Sequence, residues 1–339
     1  MGGRALKSVD TRRINRVEFD RISKEIMNIL KLTFNKVGIP FFYKKKESFG
    51  DIDFVISNDG FNGSIREYIE NTFTPNEIFH NGNAYSFDYE SVQIDLIFTP
   101  DEDYESTLNY MGGNDLGNFI GRLAQSLGFK YGQEGLWYNH YSDANTKTTI
   151  MVSKDYREIF SFLDLDYDKW IEGFDSLEEI FEYVMTSFLF NPKIFQLKEL
   201  NKINRERNLK RASYMSFLEY IEDKEPNDEY DGEVIYTLKK DVINVIREAF
   251  PSVNIDLRLA EIDYETAKKK LVNMKFNGKT IMEKFELEGK ELGNAIKAFK
   301  DIIINHSYDG IYDDFNVYIL ETDVEQIYED FSNGLTWGF

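Results

Sequence analysis

The stretch that most constrains this chain is Asp51-Ile52-Asp53-Phe54-Val55-Ile56. It alternates polar and apolar residues, the period of a half-buried strand. Residues i and i+2 of a strand share a face, so Asp51 and Asp53 stand side by side while Ile52, Phe54 and Ile56 face a core. Two carboxylates held that way repel each other in any surroundings drier than water. A divalent cation is the simplest agent that reconciles them; plain solvation of two surface aspartates is the alternative. A second alternating run spans Glu90 to Thr99, with Val92, Ile94, Leu96 and Phe98 on its apolar face and Asp95 pointing away from it. Three carboxylates on two strands make a set suited to two magnesium ions. One ion would ride on a nucleotide's phosphates and the other would activate an attacking hydroxyl.

The remaining composition narrows the classes. At 339 residues, 42% of them hydrophobic and 15% aromatic, the chain can build two or three domains. No run of eighteen apolar residues is present, so no membrane span is expected. The opening Met1-Gly2-Gly3-Arg4-Ala5-Leu6-Lys7 lacks an apolar signal segment, and Leu6 stands where a myristoylation signal needs Ser or Thr. A cytoplasmic location is the expectation. Without cysteine there are neither disulfides nor thiolate sites, and only His80, His140 and His306 offer imidazoles. Any metal is therefore expected to be a hard cation held by oxygen. The net charge of −20 counts against a nucleic-acid partner without excluding one, because such partners are usually met by a basic surface.

Residues 1–13 read as a basic, irregular arm. Phe19, Ile22, Ile26, Ile29 and Leu30 recur at helical spacing within Ile14 to Val37, and Gly38, Ile39 and Pro40 end that helix. Residues 59–79 read as a loop and a short helix ending near Pro75.

Several blocks then follow in order: Phe42-Tyr43-Lys44-Lys45-Lys46-Glu47-Ser48-Phe49-Gly50-Asp51-Ile52-Asp53, Ile94-Asp95-Leu96-Ile97-Phe98-Thr99-Pro100, Tyr110-Met111-Gly112-Gly113-Asn114 with Asp115, Asn118 and Arg122, Gly128 to Leu136, and Val152 to Asp168. This succession resembles the DNA polymerase beta nucleotidyltransferase superfamily, family X polymerases in particular, over about residues 40–170. The resemblance implies an α+β fold: a nucleotidyltransferase palm with a mixed sheet, a thumb-like subdomain, and a largely helical C-terminal region. It implies two Mg²⁺ ions, with Mn²⁺ as a substitute, on the catalytic carboxylates Asp51, Asp53 and Asp95. Lys44, Ser48 and Gly50 would approach a nucleoside triphosphate. Tyr110, Gly113, Asp115 and Asn118 would line its pocket, with Arg122 near a DNA or RNA 3′ end. Three departures stand out. Pro40-Phe41 replaces the family's Gly-Ser turn, Phe49 replaces a serine, and Lys44 replaces an arginine with a point charge that lacks the bidentate fork. The family's lyase module has no counterpart, so no deoxyribose-phosphate lyase activity is expected.

Beyond Lys169 the aromatic stripe Phe174, Leu177, Ile180, Phe181, Val184, Phe188 and Leu189 reads as core. Lys202, Arg205, Arg207, Lys210 and Arg211 form a basic cluster suited to a phosphate backbone, or else a solvated helix face. Glu222 to Glu233 reads as a linker or an exposed loop, Thr237 to Phe250 as a helix and Val253 to Leu257 as a short strand. Phe276 to Gly293 faintly resembles a hairpin in the tails of CCA-adding enzymes and bacterial poly(A) polymerases; two helix-capping glycines account for it equally well. The expected divisions are 1–40, 41–108, 109–170, 171–222 and 234–339. The expected activity is metal-dependent transfer of (d)NMP from a (d)NTP to a polynucleotide 3′-hydroxyl. The alternatives are template-independent addition to RNA or tRNA, transfer to a small molecule or protein, and an inactive scaffold of the same fold.

Overall fold

Asp51–Ser57 does form a strand, within a mixed five-stranded sheet. The computed structural model describes residue 3 and residues 5–141, 147–275, 278–305, 311–313 and 316–318. In chain order, β1 (Ile14–Asn15) leads into α1 (Arg16–Leu30), then β2 (Val37–Gly38), β3 (Ser48–Phe49), β4 (Asp51–Ser57), α2 (Ile65–Phe73), β5 (Ile78–Asn81), β6 (Ala84–Tyr89) and β7 (Val92–Thr99). The sheet order is β2-β4-β7-β6-β5, in which only β4 and β7 run parallel.

Helix α1 starts where Asn15 and Glu18 close a capping box, satisfying donors that the first turn leaves open. Its buried Phe19, Ile22, Ile26 and Leu30 recur at three and four residues, and with Ile69 and Phe73 of α2 they share one core with Ile52, Phe54, Ile56, Ile94, Leu96 and Phe98 of the sheet. Each such side chain contributes about 1.5–3 kcal/mol by leaving water. The helix is shorter than its periodicity suggests. Leu32 and Thr33 donate three residues back, to Ile29 and Leu30, and the tightened turn frees Val37 and Gly38 to pair with Ile56 and Val55 at the sheet edge. Strand β7 also differs from expectation. Gln93 and Ile97 are buried too, so both of its faces are covered.

The chain continues through α3 (Tyr104–Tyr110), α4 (Leu116–Ser126), β8 (Phe129–Gly132), β9 (Gly135–Tyr141), β10 (Lys147–Ser153), α5 (Tyr156–Phe162), α6 (Tyr167–Glu172), α7 (Leu177–Met185), α8 (Pro192–Phe195), α9 (Lys202–Asn208) and α10 (Ala212–Tyr220). Strands β8, β9 and β10 make a second sheet, with β9 in the middle. The aromatic stripe is largely core, as its spacing predicts, and it joins segments expected to be separate. Phe119 of α4 packs on Phe217 of α10 at 4.3 Å between ring centroids, with Phe181 and Tyr214 against it.

The acidic stretch 222–233 is an exposed loop running into the next helix within one unit, the second of its two readings, and not a linker. Asn227 anchors it, donating its main-chain N–H to the Phe190 carbonyl and its side-chain amide to the carbonyls of Met185 and Thr186. After it, α11 (Gly232–Lys240) and α12 (Val242–Ala249) complete one compact unit, residues 1–141 and 149–253. A second unit holds residues 142–148 and 254–339, with α13 (Ile255–Lys275), α14 (Gly278–Phe285), α15 (Gly289–Asn305) and the antiparallel pair β11 (Ile311–Asp313) and β12 (Asn316–Tyr318). The strand expected at Val253 to Leu257 is instead the start of α13, because Asn254 Oδ1 accepts the Leu257 N–H in the manner of an N-cap. The stretch with the faint hairpin resemblance is helical in α14 and the start of α15; residues 276–277 lie outside the described residues.

Candidate metal centre and cleft

The register between β4 and β7 builds the site. Asp51 lies beside Gln93 and Asp53 beside Asp95, so the alternation of β4 brings all three aspartates to one face. Carboxylate oxygens of Asp51, Asp53 and Asp95 lie within 4.8 Å of one another, on strands whose other face is fully buried at Ile52 and Phe54. Asp51 Oδ2 accepts the Gly3 N–H at 2.9 Å, and both oxygens of Asp95 accept from Gln93 Nε2 at 2.9 Å. The Asp53 carboxylate accepts no hydrogen bond and joins no ion pair among the described residues.

The electrostatics follow from that crowding. Burial, and then the charges of Asp51 and Asp95, push the Asp53 carboxyl well above the usual carboxylate range. Burial and then Asp51 push Asp95 up to about 7, opposed by hydrogen bonds from Ser86 and Gln93. Without a cation such a site holds protons at the pH where an ordinary aspartate has lost them. Three clustered oxygen donors, one of them the Asp53 carboxyl with no hydrogen-bond donor on it among the described residues, fit a hard divalent cation, and they offer nothing to a soft one.

A cleft of about 760 Å³ opens at this face. Asp51 and Asp53 line it, together with Arg13, Lys46, Arg207 and Arg211. Lys46 is the member of the basic run that enters. Its Nζ lies 4.8 Å from the Phe49 ring centroid and 3.4 Å from Asn114 Oδ1, and burial holds its pKa down while Asp51 and Asp53 oppose that shift. Lys44, expected to reach phosphate, is turned away. Its main-chain N–H donates to Phe174 and its Nζ pairs with Asp175 at 3.1 Å. Ser48 and Gly50 line the cleft as expected, with Ser48 Oγ accepting from Arg13 Nε at 2.9 Å.

The expected nucleotide-pocket residues divide. Tyr110 and Asn118 line the cleft, and Asn118 Nδ2 donates to Asn208 Oδ1 at 3.0 Å. Asp115 also lines it but is 7% exposed, ion-paired with Arg211 and accepting from Ser213 Oγ. Gly113 has φ of +69° and donates its N–H to Phe41 at 2.7 Å, while a Cβ at Gly112 would run into the Phe41 ring. The two glycines thus make the room that the Phe41 ring takes.

The basic cluster is divided as well. Arg207 and Arg211 face the cleft, whereas Arg205 spends its guanidinium on the carbonyls of Leu197 and Leu200 at 3.0 Å each. Lys202 and Lys210 are exposed. Arg122 is held on the Ile194 carbonyl, its Nε at 2.9 Å, and does not line the cleft. Four residues that shape the site are not singled out by the sequence: Gln93, Lys46, Arg13 and Ser213. Gln93 is open to detection, since it stands two positions before Asp95 on the same strand face. A scan against protein-family models matches none, and no curated protein matches the sequence significantly, so the geometry of the site itself carries the functional reading.

Proposed function

We propose that the protein is a divalent-metal-dependent nucleotidyltransferase that takes a nucleoside triphosphate as donor. The observation that carries this reading is a cluster of three carboxylates on one sheet face, two of which, Asp51 and Asp53, line a cleft that also presents Lys46 and Arg207, with Arg211 held there by Asp115. One acidic face and several cations in a single cleft suit a metal-bound polyphosphate, whose charge both must meet. A volume of about 760 Å³ lies within the roughly 300–1,000 Å³ of small-molecule sites. When bound, Mg²⁺ or Mn²⁺ would neutralise charge on the phosphates and on the attacking oxygen.

Asp51 and Asp53 would hold both ions, and Asp95 would complete the position nearer the acceptor. Lys46 and Arg207 would take the β- and γ-phosphates. The acceptor oxygen bonds to the α-phosphorus, pyrophosphate leaves with the electrons of the broken P–O bond, and the hydroxyl proton passes to the Asp95 carboxylate. The acceptor is a polynucleotide 3′-hydroxyl in the first reading. A second reading, transfer to a small molecule or protein, is supported by the surface charges. Arg12, Arg16, Arg21, Lys36 and Arg66 are each tied to a carboxylate instead of forming a free basic track.

The test offers purified protein, Mg²⁺ or Mn²⁺ and each NTP and dNTP to primed DNA, single strands, tRNA or no nucleic acid, with Asp95→Ala as control. Pyrophosphate release and the product carrying label are measured. Release that Asp95→Ala lowers by roughly a thousandfold supports the reading. Release no greater than that of Asp95→Ala under every condition refutes it.

A further inference from the structure

The N-terminal arm touches one of the three carboxylates directly and a second through Gln93, and it is fastened at Glu77, just before the edge strand β5. Gly3 donates its N–H to Asp51 Oδ2 at 2.9 Å. Ala5 donates to Gln93 Oε1 at 2.8 Å, and the Nε2 of the same Gln93 amide reaches both oxygens of Asp95. Gly3 is fitted closely. Its φ is +81°, and a Cβ there would collide with the Gly50 carbonyl oxygen. Thr11 Oγ1 returns to the Gly3 carbonyl at 3.0 Å, which closes residues 3–11 into a loop.

That loop is held at Glu77. One carboxylate accepts the main-chain N–H groups of Lys7, Ser8 and Val9 and the Ser8 hydroxyl, at 2.7–3.1 Å. These donors, Lys7 first and the Ser8 hydroxyl next, hold the Glu77 carboxyl down to about 2. Beyond the loop, Arg12 donates its N–H to the Ser91 carbonyl at 2.8 Å, and Ile14–Asn15 pairs with Ser48–Phe49. None of the described residues before Arg13 lines the cleft, so this stretch supports the carboxylates from beside it.

We propose that the arm is a positioning strap for the metal centre: the Gly3 amide orients Asp51, and Ala5 through Gln93 orients Asp95. This rests on the metal-centre reading above. Asp51, with one oxygen engaged by a fixed amide, loses rotational freedom and keeps its other oxygen for the shared space, while Gln93 Nε2 fixes Asp95 from one side through both of its oxygens. Partners of this kind, one layer behind the ligands, typically govern about ten- to hundredfold of metal affinity. Main-chain donors suit the task because no side-chain rotamer has to be frozen to aim them.

The test is Mn²⁺ binding by the nucleotide-free full chain, followed through the electron paramagnetic resonance of free Mn²⁺. Wild type is compared with Glu77→Ala, Glu77→Gln, Gly3→Ala and Asp95→Asn, each checked for a cooperative melt in EDTA. Glu77→Ala lies outside the cleft and remains informative if Gly3→Ala fails to fold. The expected result is Mn²⁺ affinity about tenfold or more weaker in Glu77→Ala, with Glu77→Gln between it and wild type because one acceptor oxygen is kept. Wild-type affinity in Glu77→Ala and Gly3→Ala, with binding lost in Asp95→Asn, overturns the strap and leaves the metal centre standing. Tighter binding on release of the arm also overturns it. Equal and negligible binding by wild type and Asp95→Asn overturns the metal centre, and the strap with it.

Discussion

Replacing Asp53 by asparagine separates the carboxylates' cost to the fold from their use. Asp53 has two like charges whose oxygens lie within 4.8 Å and no hydrogen-bond partner among the described residues. At an effective dielectric constant of roughly 20, each such pair repels by about 3.5 kcal/mol. The folded protein relieves part of this by keeping protons, since the carboxyls of Asp53 and Asp95 are raised in the fold, Asp95 to about 7. A raised carboxyl means that the folded state holds protons the unfolded chain has released. Stability in EDTA therefore falls as pH climbs from about 4 through 7, as each group in turn is forced to ionise within the fold. The amide that replaces the carboxylate carries no charge and can donate to a neighbouring one. Allowing for Lys46 nearby and for protonation, we expect Asp53→Asn to gain about 2 kcal/mol at pH 8, a rise in Tm of roughly 5 °C. The gain should vanish at pH 5. Thermal melts in EDTA at both pH values measure it, and repeating them with Mn²⁺ should raise the wild type more than the variant. A wild-type melt flat from pH 5 to 8, with Asp53→Asn less stable at both ends, would refute the reasoning.

Two further outcomes are expected. Lys46→Met removes a cation from the cleft and should raise the KM for nucleotide about tenfold with little effect on the melt in EDTA; titration of nucleotide in a pyrophosphate-release assay measures it. Asn227→Ala loses the two side-chain hydrogen bonds that pin the acidic stretch to Met185 and Thr186, costing roughly 1–3 kcal/mol. Limited proteolysis should then cut within residues 222–233 before any other described segment of that unit.

The parts of the fold legible from sequence are those with a local period. The alternation of β4 and the apolar spacing of α1 state their own faces, and the three aspartates fall where those faces put them. What is not legible depends on partners distant in the chain. Lys44 and Lys46 look alike in sequence, and only the bonds of Lys44 and Lys45 to Phe174 and Asp175 decide which lysine enters the cleft. The basic cluster reads as one feature, yet carbonyls of the preceding turn claim Arg205 while Asp115 claims Arg211. The start of α13 escapes the sequence for a local reason: Asn254 serves as a cap, a role that the apolar alternation around it conceals.

The parallel register of β4 on β7 runs unbroken from Asp51 beside Gln93 to Ser57 beside Thr99. A slip of one residue would turn Asp53 and Asp95 to opposite faces. The charged cluster and the strand ladder are therefore completed in the same event, and the three carboxylates come together at the moment the chain closes its central pair. On the proposed metal reading, a divalent cation present during refolding should act on the speed of that closure as well as on the finished protein.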